Sequence, residues 1–412
     1  MTNVHLENNR ISKQFLIIIW IEYALIYMTK NCFNAAMAGI VYDGVLTKSQ
    51  TGLISTVFYL VYAPLQIVGG VFADRYDPEK LIKIGLLSSG ILNTLLFFFH
   101  DYISMLVLWG LNGFAQFAVW PAIIKIITSQ LTPSDRKTGA FYIAFSSIGG
   151  LLLSYMTAAL ITKWEYNFLI SGLIMFGLAV LWIGECHHVA HYMIRDTKEK
   201  SQNNQVQAKA SGKLFWKSGF YFIVFYILFR TLVDQAVKAF SPTMLTEIYT
   251  GVTPSVGNFL NVLIIGATLI GAVIIRKVYP KLIRSEATGM LVITLAALPF
   301  GATLLFAGKI HLAVTVIALC GIACFLNCGT VLVNCCTIHF TKYGKSATAA
   351  GIVNAIASTA FVFVNYGIAL IADLFGWTAV LWILFVFLLI AVTVILFAAP
   401  MWKRFLNYNQ KE

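Results

Sequence analysis

The sequence predicts an all-α protein that crosses a membrane many times, and three observations support this prediction. Of the 412 residues, 59% are apolar or aromatic and 11% are charged, and the mean hydropathy is +0.81. A soluble protein carries about 25% charged residues, so this chain lacks the polar surface that it would need to dissolve. Its long apolar runs favour helices, because the strands of a membrane barrel alternate apolar and polar residues. The composition therefore excludes a soluble enzyme, a secreted domain and a disordered protein.

Twelve apolar runs lie between charged, glycine or proline breaks, and each is long enough to cross a bilayer as a helix. They lie at 15–38, 50–73, 81–99, 103–128, 138–162, 167–189, 217–240, 255–276, 285–307, 311–338, 345–371 and 376–400. The most polar stretch, 195–213, separates the first six runs from the last six. We therefore expect a six-helix half at 1–189, a cytoplasmic linker at 190–216 and a second six-helix half at 217–412.

The lysines and arginines predict that both termini are cytoplasmic. With this orientation the outer loops hold only Lys48, Lys163 and Lys309, and the other loop cations lie inside, as is usual for membrane proteins. Residues 1–14 are polar, and no small-residue cleavage site follows the first run, so we expect no cleavable signal peptide. The seven cysteines fall in apolar stretches, which argues against a disulfide framework.

Charge inside a membrane span is costly and usually functional, and six charged residues inside the predicted spans are candidates for such a function. They are Glu22, Lys30, Lys125, Arg230, Asp234 and Lys238. Lys125 and Lys238 lie near the ends of their spans, so we expect both side chains to extend to the membrane surface.

The other charges lie deeper in the membrane. Arg230 and Asp234 are one helical turn apart on one face. They form either a structural ion pair or part of a substrate or coupling site. Glu22 lies two turns before Lys30, so it would either carry a proton or pair with Lys30.

A charged motif follows the second predicted span. It reads GGVFADRYDPEK at 69–80, and a degenerate echo, GAVIIRKVYPK, follows the eighth span at 271–281. Gly70 permits close helix approach, and Asp74 can pair with Arg75 or with a helix N-terminus. The motif resembles the loop between the second and third helices of the major facilitator superfamily, with one extra residue before its lysine. This resemblance assigns a conformational role to Gly70, Asp74, Arg75 and Lys80.

The first span narrows the resemblance. Residues 22–37, EYALIYMTKNCFNAAM, resemble the first helix of the organophosphate:phosphate antiporter family, which includes glycerol-3-phosphate and sugar-phosphate transporters. Further similar blocks are GFAQFAVWP at 113–121, DRKTGAFYIAFSSIGG at 135–150, FSPTML at 240–245 and AAGIVNAIASTAFVFVNYGIALIADLFGW at 349–377. The resemblance implies a major facilitator fold, in which twelve helices in two halves expose a substrate alternately to each side of the membrane.

The resemblance also implies a substrate site. Lys30 stands where the family has its first-helix substrate-binding arginine, and Tyr23 and Tyr27 precede it on the same helix face. Gln116 and Trp120 match a glutamine and a tryptophan of the family's fourth helix. For the tyrosines, the alternative is a place in the interfacial belt or in helix packing, where membrane tyrosines are common.

The departures from the family pattern concern charge. Asp234 occupies the position of the seventh-helix arginine, and Arg230 lies one turn earlier. Ser146 replaces a fifth-helix histidine, and Gln66 replaces a second-helix lysine. Two arginines bind a dianionic phosphate bidentately, which a lysine cannot imitate. The lower positive charge therefore suits a carboxylate, a sulfonate or a zwitterion at least as well as a phosphate ester.

We interpret the chain as a secondary active transporter of a small organic anion. Lys30 and Arg230 would neutralise the anionic head, and the aromatic residues and Gln116 would orient the rest. Asp234 or Glu22 would carry a coupling proton in a symporter, or trim the charge of the site in an antiporter that exchanges a counter-anion.

Three alternatives remain, namely an organophosphate/phosphate antiporter, a transporter-like sensor of a metabolite and a membrane-embedded enzyme. We favour a non-enzymatic function because no nucleophile or nucleotide motif is present. We expect no cofactor, no nucleic-acid partner and no metal, since HHVAH at 187–191 lies at a span end where polar residues are ordinary. A monomer in the bilayer of a bacterial inner membrane is expected.

Overall fold

The computed structural model describes residues 4–195, 212–283, 285–340, 343 and 346–411. The first helices are α1 (Asn9–Lys30), α2 (Cys32–Tyr42), α3 (Lys48–Arg75), α4 (Pro78–Phe98), α5 (Tyr102–Ala115), α6 (Val119–Ser129), α7 (Pro133–Leu160) and α8 (Glu165–Ala190). They are followed by α9 (Gly212–Lys217), α10 (Phe220–Ile248), α11 (Pro254–Leu282), α12 (Glu286–Leu304), α13 (Leu312–Ile338), α14 (Ser346–Phe363), a π-helical turn (Val364–Ile368) and α15 (Ala369–Lys411). Two short strands are β1 (Val4–Leu6) and β2 (Met193–Arg195).

The chain divides into two compact units, Met1–Asn203 and Asn204–Glu412. Every predicted apolar run coincides with helix, so the predicted all-helical fold is confirmed with one exception. Strand β1 pairs antiparallel with β2, with Val4 opposite Arg195. Strands of three residues are too short to show an alternating pattern, which is why the sequence did not reveal them. Strand β2 lies inside the predicted linker 190–216, of which residues 196–211 lie outside the described part of the chain.

Nine helical stretches among the described residues are long and apolar enough to cross a membrane. One of them joins α1 and α2, another joins α5 and α6, and a third, Ala355–Asn407, passes through Gly376, where the backbone has φ 75°. Helices α3 and α7 are 28 residues long but are not among the nine. The multi-span helical fold is therefore confirmed, whereas twelve crossings and two cytoplasmic termini stay predictions.

Several helices begin where the sequence places a capping residue. The Thr47 hydroxyl accepts from the backbone N–H of Gln50 at 3.2 Å, and the Gln50 side chain accepts from the N–H of Thr47 at 2.9 Å. Asp77 and Asp101 cap α4 and α5 by accepting backbone N–H groups at 3.0 Å. These contacts pair donors that a helix start leaves without an intrahelical partner.

Two breaks interrupt helices of the first unit inside the apolar runs. Asn31 separates α1 from α2, and its side-chain amide donates to the carbonyl of Tyr27 at 2.7 Å. Residues 116–118 separate α5 from α6, just before Pro121, which lacks an N–H and clashes with the carbonyl four residues earlier. Non-helical backbone at membrane depth is tolerated only where protein or a wet cavity surrounds it. Both breaks therefore mark places of functional interest.

Close helix approach in the first unit occurs at Gly69 rather than at the predicted Gly70. A Cβ on Gly69 would lie 2.7 Å from the carbonyl oxygen of Phe117, at the α5–α6 break. A Cβ on Gly70 would meet no described atom within 4 Å. The physical reason is the helical turn of about 100° per residue, which directs adjacent residues of α3 to different neighbours.

A tryptophan N–H bonded to a carboxylate closes one end of each unit. In the first unit, Trp164 Nε1 donates to Asp43 Oδ2 at 3.0 Å, so the start of α8 is bound to the end of α2. In the second unit, Trp377 Nε1 donates to Glu247 Oε2 at 2.8 Å, which binds α15 to the end of α10. The same kind of contact therefore joins the corresponding first and last long helices of each unit.

The opposite end of each unit is closed by a second tryptophan and a glutamate at a helix start. Trp182 Nε1 donates to the backbone carbonyl of Glu79 at 3.1 Å. In the second unit the glutamate is Glu286, whose carboxylate accepts from Trp402 Nε1 at 2.8 Å and from Tyr279 at 2.5 Å. His339 Nε2 lies 2.8 Å from the same carboxylate, which is buried. Glu286 thus holds together the ends of four helices, α11, α12, α13 and α15.

Gly150→Ala should destabilise the first unit, because α7 packs closely against α1 at this residue. A Cβ there would lie 2.2 Å from the carbonyl oxygen of Ala24 and 2.8 Å from Tyr27 Cβ. Overpacking of this kind costs about 1–3 kcal/mol, and we expect a lower melting temperature of the purified protein in detergent. Gly149→Ala is the matched control, since a Cβ on Gly149 meets no described atom within 4 Å. Equal melting temperatures for the two variants would contradict the packing argument.

Candidate functional site

Lys30, the last residue of α1, lies inside a cluster of aromatic rings that we call the Lys30 cluster. Its ammonium lies 3.4 Å from the centroid of the Tyr62 ring. The centroids of Tyr27, Phe58 and Tyr59 are 5.8, 5.7 and 5.8 Å away. All four distances are within the range of cation–π attraction. Lys30 is 8% exposed, so this is a buried cation held by ring faces.

The Lys30 cluster contains no ion pair between Lys30 and a carboxylate of the described residues. Glu22 is also buried, and its Oε1 has no hydrogen-bond partner in the described part of the chain. The expected alternative of a Glu22–Lys30 pair is therefore wrong. Two turns of helix separate the residues, which is farther than the four-residue spacing that brings side chains together.

Two further predicted residues extend the aromatic surface. The ring centroids of Tyr23 and Tyr27 are 6.1 Å apart, and those of Tyr23 and Trp120 are 4.7 Å apart. Trp120 lies in the first turn of α6, directly after the α5–α6 break. Four predicted residues, Lys30, Tyr27, Tyr23 and Trp120, thus form one continuous series of contacts.

Gln116 lies in a separate, fully buried polar network. Its side-chain amide donates to Ser89 Oγ at 2.9 Å and to Asn112 Oδ1 at 3.2 Å, and Ser89 donates to Asn112 at 2.7 Å. Asn93 joins the network by donating to the backbone carbonyl of Ser89 at 2.9 Å. Gln116 also ends α5, so the network stabilises the break that positions Trp120. Its predicted contact with substrate remains a proposal.

The second unit contains a buried charge cluster on one face of α10, which we call the α10 charge cluster. Asp234 Oδ2 lies 2.8 Å from the Lys238 ammonium and 3.7 Å from the Arg230 guanidinium. Arg230 also donates to the Leu326 carbonyl at 2.9 Å and to the Thr330 hydroxyl, both on α13. Two basic side chains and one carboxylate give the cluster a formal net charge of +1.

The expectation that Lys238 extends to the membrane surface is wrong. Its side chain is 13% exposed and turns back along the helix to Asp234, four residues earlier. A spacing of four residues brings the charges together. A direct counter-ion is thus available at a depth where an unpaired ammonium would be costly.

The expectation that Lys125 extends to the membrane surface is also wrong. Its ammonium donates to the backbone carbonyl of Ala73, near the end of α3. A helix end leaves carbonyls without an intrahelical partner, and a lysine nearby can satisfy one of them. Lys125 is therefore a structural contact beside the GGVFADRYDPEK motif.

The remaining motif residues lie around the α3–α4 turn. Arg75 ends α3, and Lys80 is exposed in the first turn of α4. The side chain of Asp74 lies outside what the structure describes. The conformational role predicted for Gly70, Asp74, Arg75 and Lys80 stays a prediction.

The sequence analysis missed Tyr59 and Tyr62, which supply two rings of the Lys30 cluster, and Glu286. The spacing of three residues between Tyr59 and Tyr62 places them on one face of α3, which was the available signal. Nothing in the sequence relates that face to Lys30, because the contact joins two helices. Glu286 stands at the start of a span, where an acidic residue is ordinary.

The sequence as a whole matches one large family of membrane proteins. Residues 19–360 match the sequence profile of the Major Facilitator Superfamily. The chain belongs to this superfamily, whose members are transporters rather than enzymes.

The curated relatives point to one branch of the superfamily. The chain is 27% identical over 279 residues to the membrane sensor protein UhpC of Escherichia coli strain K12, covering 62% of this chain and 64% of that protein. It is 26% identical over 198 residues to a probable hexose phosphate transport protein of Chlamydia pneumoniae, covering 47% and 44%. The matched stretches thus span less than two thirds of these relatives. The resemblance to the organophosphate:phosphate antiporter family is confirmed.

A solved structure supports the fold. The structure is similar to that of a bacterial homolog of the human lysosomal transporter Spinster in an inward-facing, unoccupied conformation, with a TM-score of 0.72 at 14% identity, covering 96% of this chain and 97% of that chain. At this level of identity the likeness concerns the fold alone.

Asp234→Asn should destabilise the second unit, because it leaves Arg230 and Lys238 buried without their carboxylate. Removal of one member of a buried ion pair costs about 3–5 kcal/mol. We expect a large fall in melting temperature, partly reversed when Lys238→Met is added. Gln235→Ala, which removes only a neutral 3.4 Å hydrogen bond to the same carboxylate, should have a smaller effect. Additive effects of the two substitutions would show that the charges are not coupled.

Proposed function

We propose that the chain is a secondary transporter that moves a small organic anion by alternating access, and that Lys30 binds the anionic head group. The observation that carries this proposal is a cation that is 8% exposed, surrounded by four aromatic rings and without an ion-paired carboxylate among the described residues. A charge at membrane depth is costly and is usually retained for function. A bound anion would supply the counter-charge that the protein itself does not.

The aromatic rings explain what holds the Lys30 ammonium in place before the anion binds. Ring faces attract an ammonium without neutralising it, and this attraction is stronger where water is excluded. The Tyr62 ring is nearest, at 3.4 Å, and its hydroxyl is hydrogen-bonded to Gln66. An anionic head can then add a charge-assisted hydrogen bond to Lys30, which is stronger than a neutral one.

The rings of Tyr23, Tyr27 and Trp120 suit the part of the substrate that lies beyond its anionic head group. Tyr23, Tyr27 and Trp120 are half-buried, so each presents part of a ring with a polar edge. Such rings stack on apolar or sugar-like faces while a hydroxyl or indole N–H contributes hydrogen bonding. We assign the orientation of the substrate to these three residues and to Gln116.

The α10 charge cluster would supply the second polar contact through Arg230. The net charge of the α10 charge cluster limits how much negative charge the substrate can carry, because Asp234 already neutralises one of the two cations. A monoanionic carboxylate or sulfonate, or a zwitterion whose amine meets Asp234, needs less positive charge than a dianionic phosphate. The relatives carry names of hexose phosphate transport, so a phosphate ester exchanged for phosphate is the alternative substrate class.

The coupling of transport is assigned to two of the buried carboxyl groups, Glu22 and Asp234. In a symporter, Asp234 or Glu22 would take up the coupling proton. Both carboxyl groups have one oxygen without a hydrogen-bond partner among the described residues, Glu22 Oε1 and Asp234 Oδ1. Asp234 is also paired through Oδ2 to Lys238 at 2.8 Å, so Glu22 has the simpler environment. In an antiporter that exchanges a counter-anion, the same carboxyl groups would only reduce the charge of the site.

A second candidate function is a transporter-like sensor, and the similarity to the membrane sensor protein of Escherichia coli favours it. A sensor binds its ligand without accumulating it. Both functions require the same anion-binding residues, so uptake into vesicles is what separates them.

Lys30→Ala should abolish uptake without loss of protein from the membrane. Loss of a charged hydrogen bond of about 1.5–3 kcal/mol corresponds to a roughly 10- to 100-fold lower initial rate. The measurement is uptake of the labelled substrate into vesicles containing equal amounts of each variant. Lys163→Ala removes the same charge from an exposed position and should leave uptake unchanged. Normal uptake by Lys30→Ala would remove Lys30 from the site.

The substrate class is tested by thermal unfolding of the purified protein with candidate ligands at two pH values. The panel contains sugar phosphates, glycerol 3-phosphate, inorganic phosphate, mono- and dicarboxylates, sulfonates and amino acids. A ligand that binds only the folded state raises the melting temperature. We expect a rise with a carboxylate, sulfonate or zwitterion that is larger at low pH and absent in Lys30→Ala. A rise confined to phosphate esters and phosphate would establish the antiporter alternative.

A further inference from the structure

A groove of about 890 Å³ lies within the second unit, between α11, α12, α13 and α15. Its volume is within the range of about 300–1,000 Å³ that is common for ligand sites. Its wall is apolar and includes Ile274, Val278, Val292 and Phe325. Val292 is 61% exposed, so the groove opens to the outside of the unit along helices apolar enough to cross a membrane.

One end of the groove is polar and is built around the start of α12. Ser285 is the residue that precedes this helix, and it lines the groove together with Lys403 of α15. The start of a helix carries a partial positive charge, and anions bind there. The exposed Lys403 ammonium adds a full positive charge at the same end.

Ser285 is a second, independent indication that this end takes a ligand. It is 5% exposed, and its hydroxyl has no hydrogen-bond partner among the described residues. It also fails to cap its own helix. The equivalent position of the first unit is Asp77, whose carboxylate accepts from the backbone N–H of Glu79 at 3.0 Å and so caps α4 from within the chain. At α12 the protein has no such internal anion at the cap position.

Glu286 does not fill this role, although it is the first residue of α12. Its carboxylate is used by Trp402, Tyr279 and His339 and is buried among them. The groove thus combines an uncapped helix start, an unpaired buried hydroxyl and a lysine at one end with a long apolar wall beyond them.

We propose that this groove binds one phospholipid with a net negative head group. Its phosphate lies against Ser285 and Lys403, and an acyl chain lies along Ile274, Val278, Val292 and Phe325. The charge at the polar end selects an anionic head group over a zwitterionic one, and the apolar wall excludes a free inorganic anion as the occupant. The proposal does not depend on what the protein transports.

The test is lipid binding to the purified full chain in detergent, measured by native mass spectrometry with phosphatidylglycerol and phosphatidylcholine. One basic side chain contributes about a five-fold change in affinity for an anionic lipid surface, so Lys403→Ala should weaken phosphatidylglycerol binding about five-fold. The matched control is Arg404→Ala, which removes a neighbouring exposed cation that does not line the groove. Phosphatidylcholine should bind more weakly and respond to neither substitution.

A second variant tests the acyl-chain wall. Val292→Trp fills the groove and should reduce phosphatidylglycerol binding, whereas Ile317→Trp, at a similarly exposed position of α13 outside the groove, should not. The melting temperature of each variant without lipid shows whether it is folded. Equal weakening by Lys403→Ala and Arg404→Ala, or equal affinity for the two lipids, would overturn the proposal. Displacement of the lipid by glycerol phosphate at the same concentration would show a site for a free anion instead.

Discussion

The structure depends on one constraint, which is that polar groups at membrane depth must find partners inside the protein. Backbone groups satisfy it through long helices, and where a helix breaks a side chain or neighbouring helix compensates. Asn31 donates to the carbonyl of Tyr27 at the α1–α2 break, and Gln116 joins a buried amide and hydroxyl network at the α5–α6 break. Lys30, Gln116 and Trp120, which are among the residues assigned to the substrate, lie beside these two breaks. At both of these breaks, the departure from regular helix is accompanied by side-chain contacts that support it.

The same constraint explains why the buried charges of the two units have different partners. Asp234 lies between Arg230 and Lys238, so one of the two positive charges of the α10 charge cluster is compensated within the helix. Lys30 has aromatic rings in place of a carboxylate. A compensated cluster favours stability, whereas a cation held only by rings keeps its capacity to bind an anion. This difference is the physical reason for assigning the head group of the substrate to Lys30.

The ends of both units are held by similar tryptophan hydrogen bonds, but the partners of the acidic residues differ. At each end of each unit, a tryptophan N–H donates to the carboxylate or to the backbone carbonyl of an acidic residue, and this contact binds the helix ends to one another. In the first unit the Glu79 side chain is bonded to the neutral amide of Gln130 at 3.4 Å. In the second, the imidazole of His339 takes the corresponding place beside Glu286. The repeated design is evidence for two related halves that single-residue motifs do not provide.

The sequence by itself determined the membrane class, the positions of the helices and the candidacy of Lys30, Tyr27, Arg230 and Asp234. Hydropathy and helical spacing are local properties, and they can be read from residues that are close along the chain. Only the tertiary structure decided which groups compensate one another. Tyr62 beside Lys30, Lys125 on the carbonyl of Ala73, and Trp402 on Glu286 are contacts between different helices. The tertiary structure also decided that Lys238 turns toward Asp234. A buried lysine can either pair with a carboxylate or extend to the membrane surface. Which of the two has the lower free energy depends on the depth and the surroundings of the lysine, and residue spacing does not specify these.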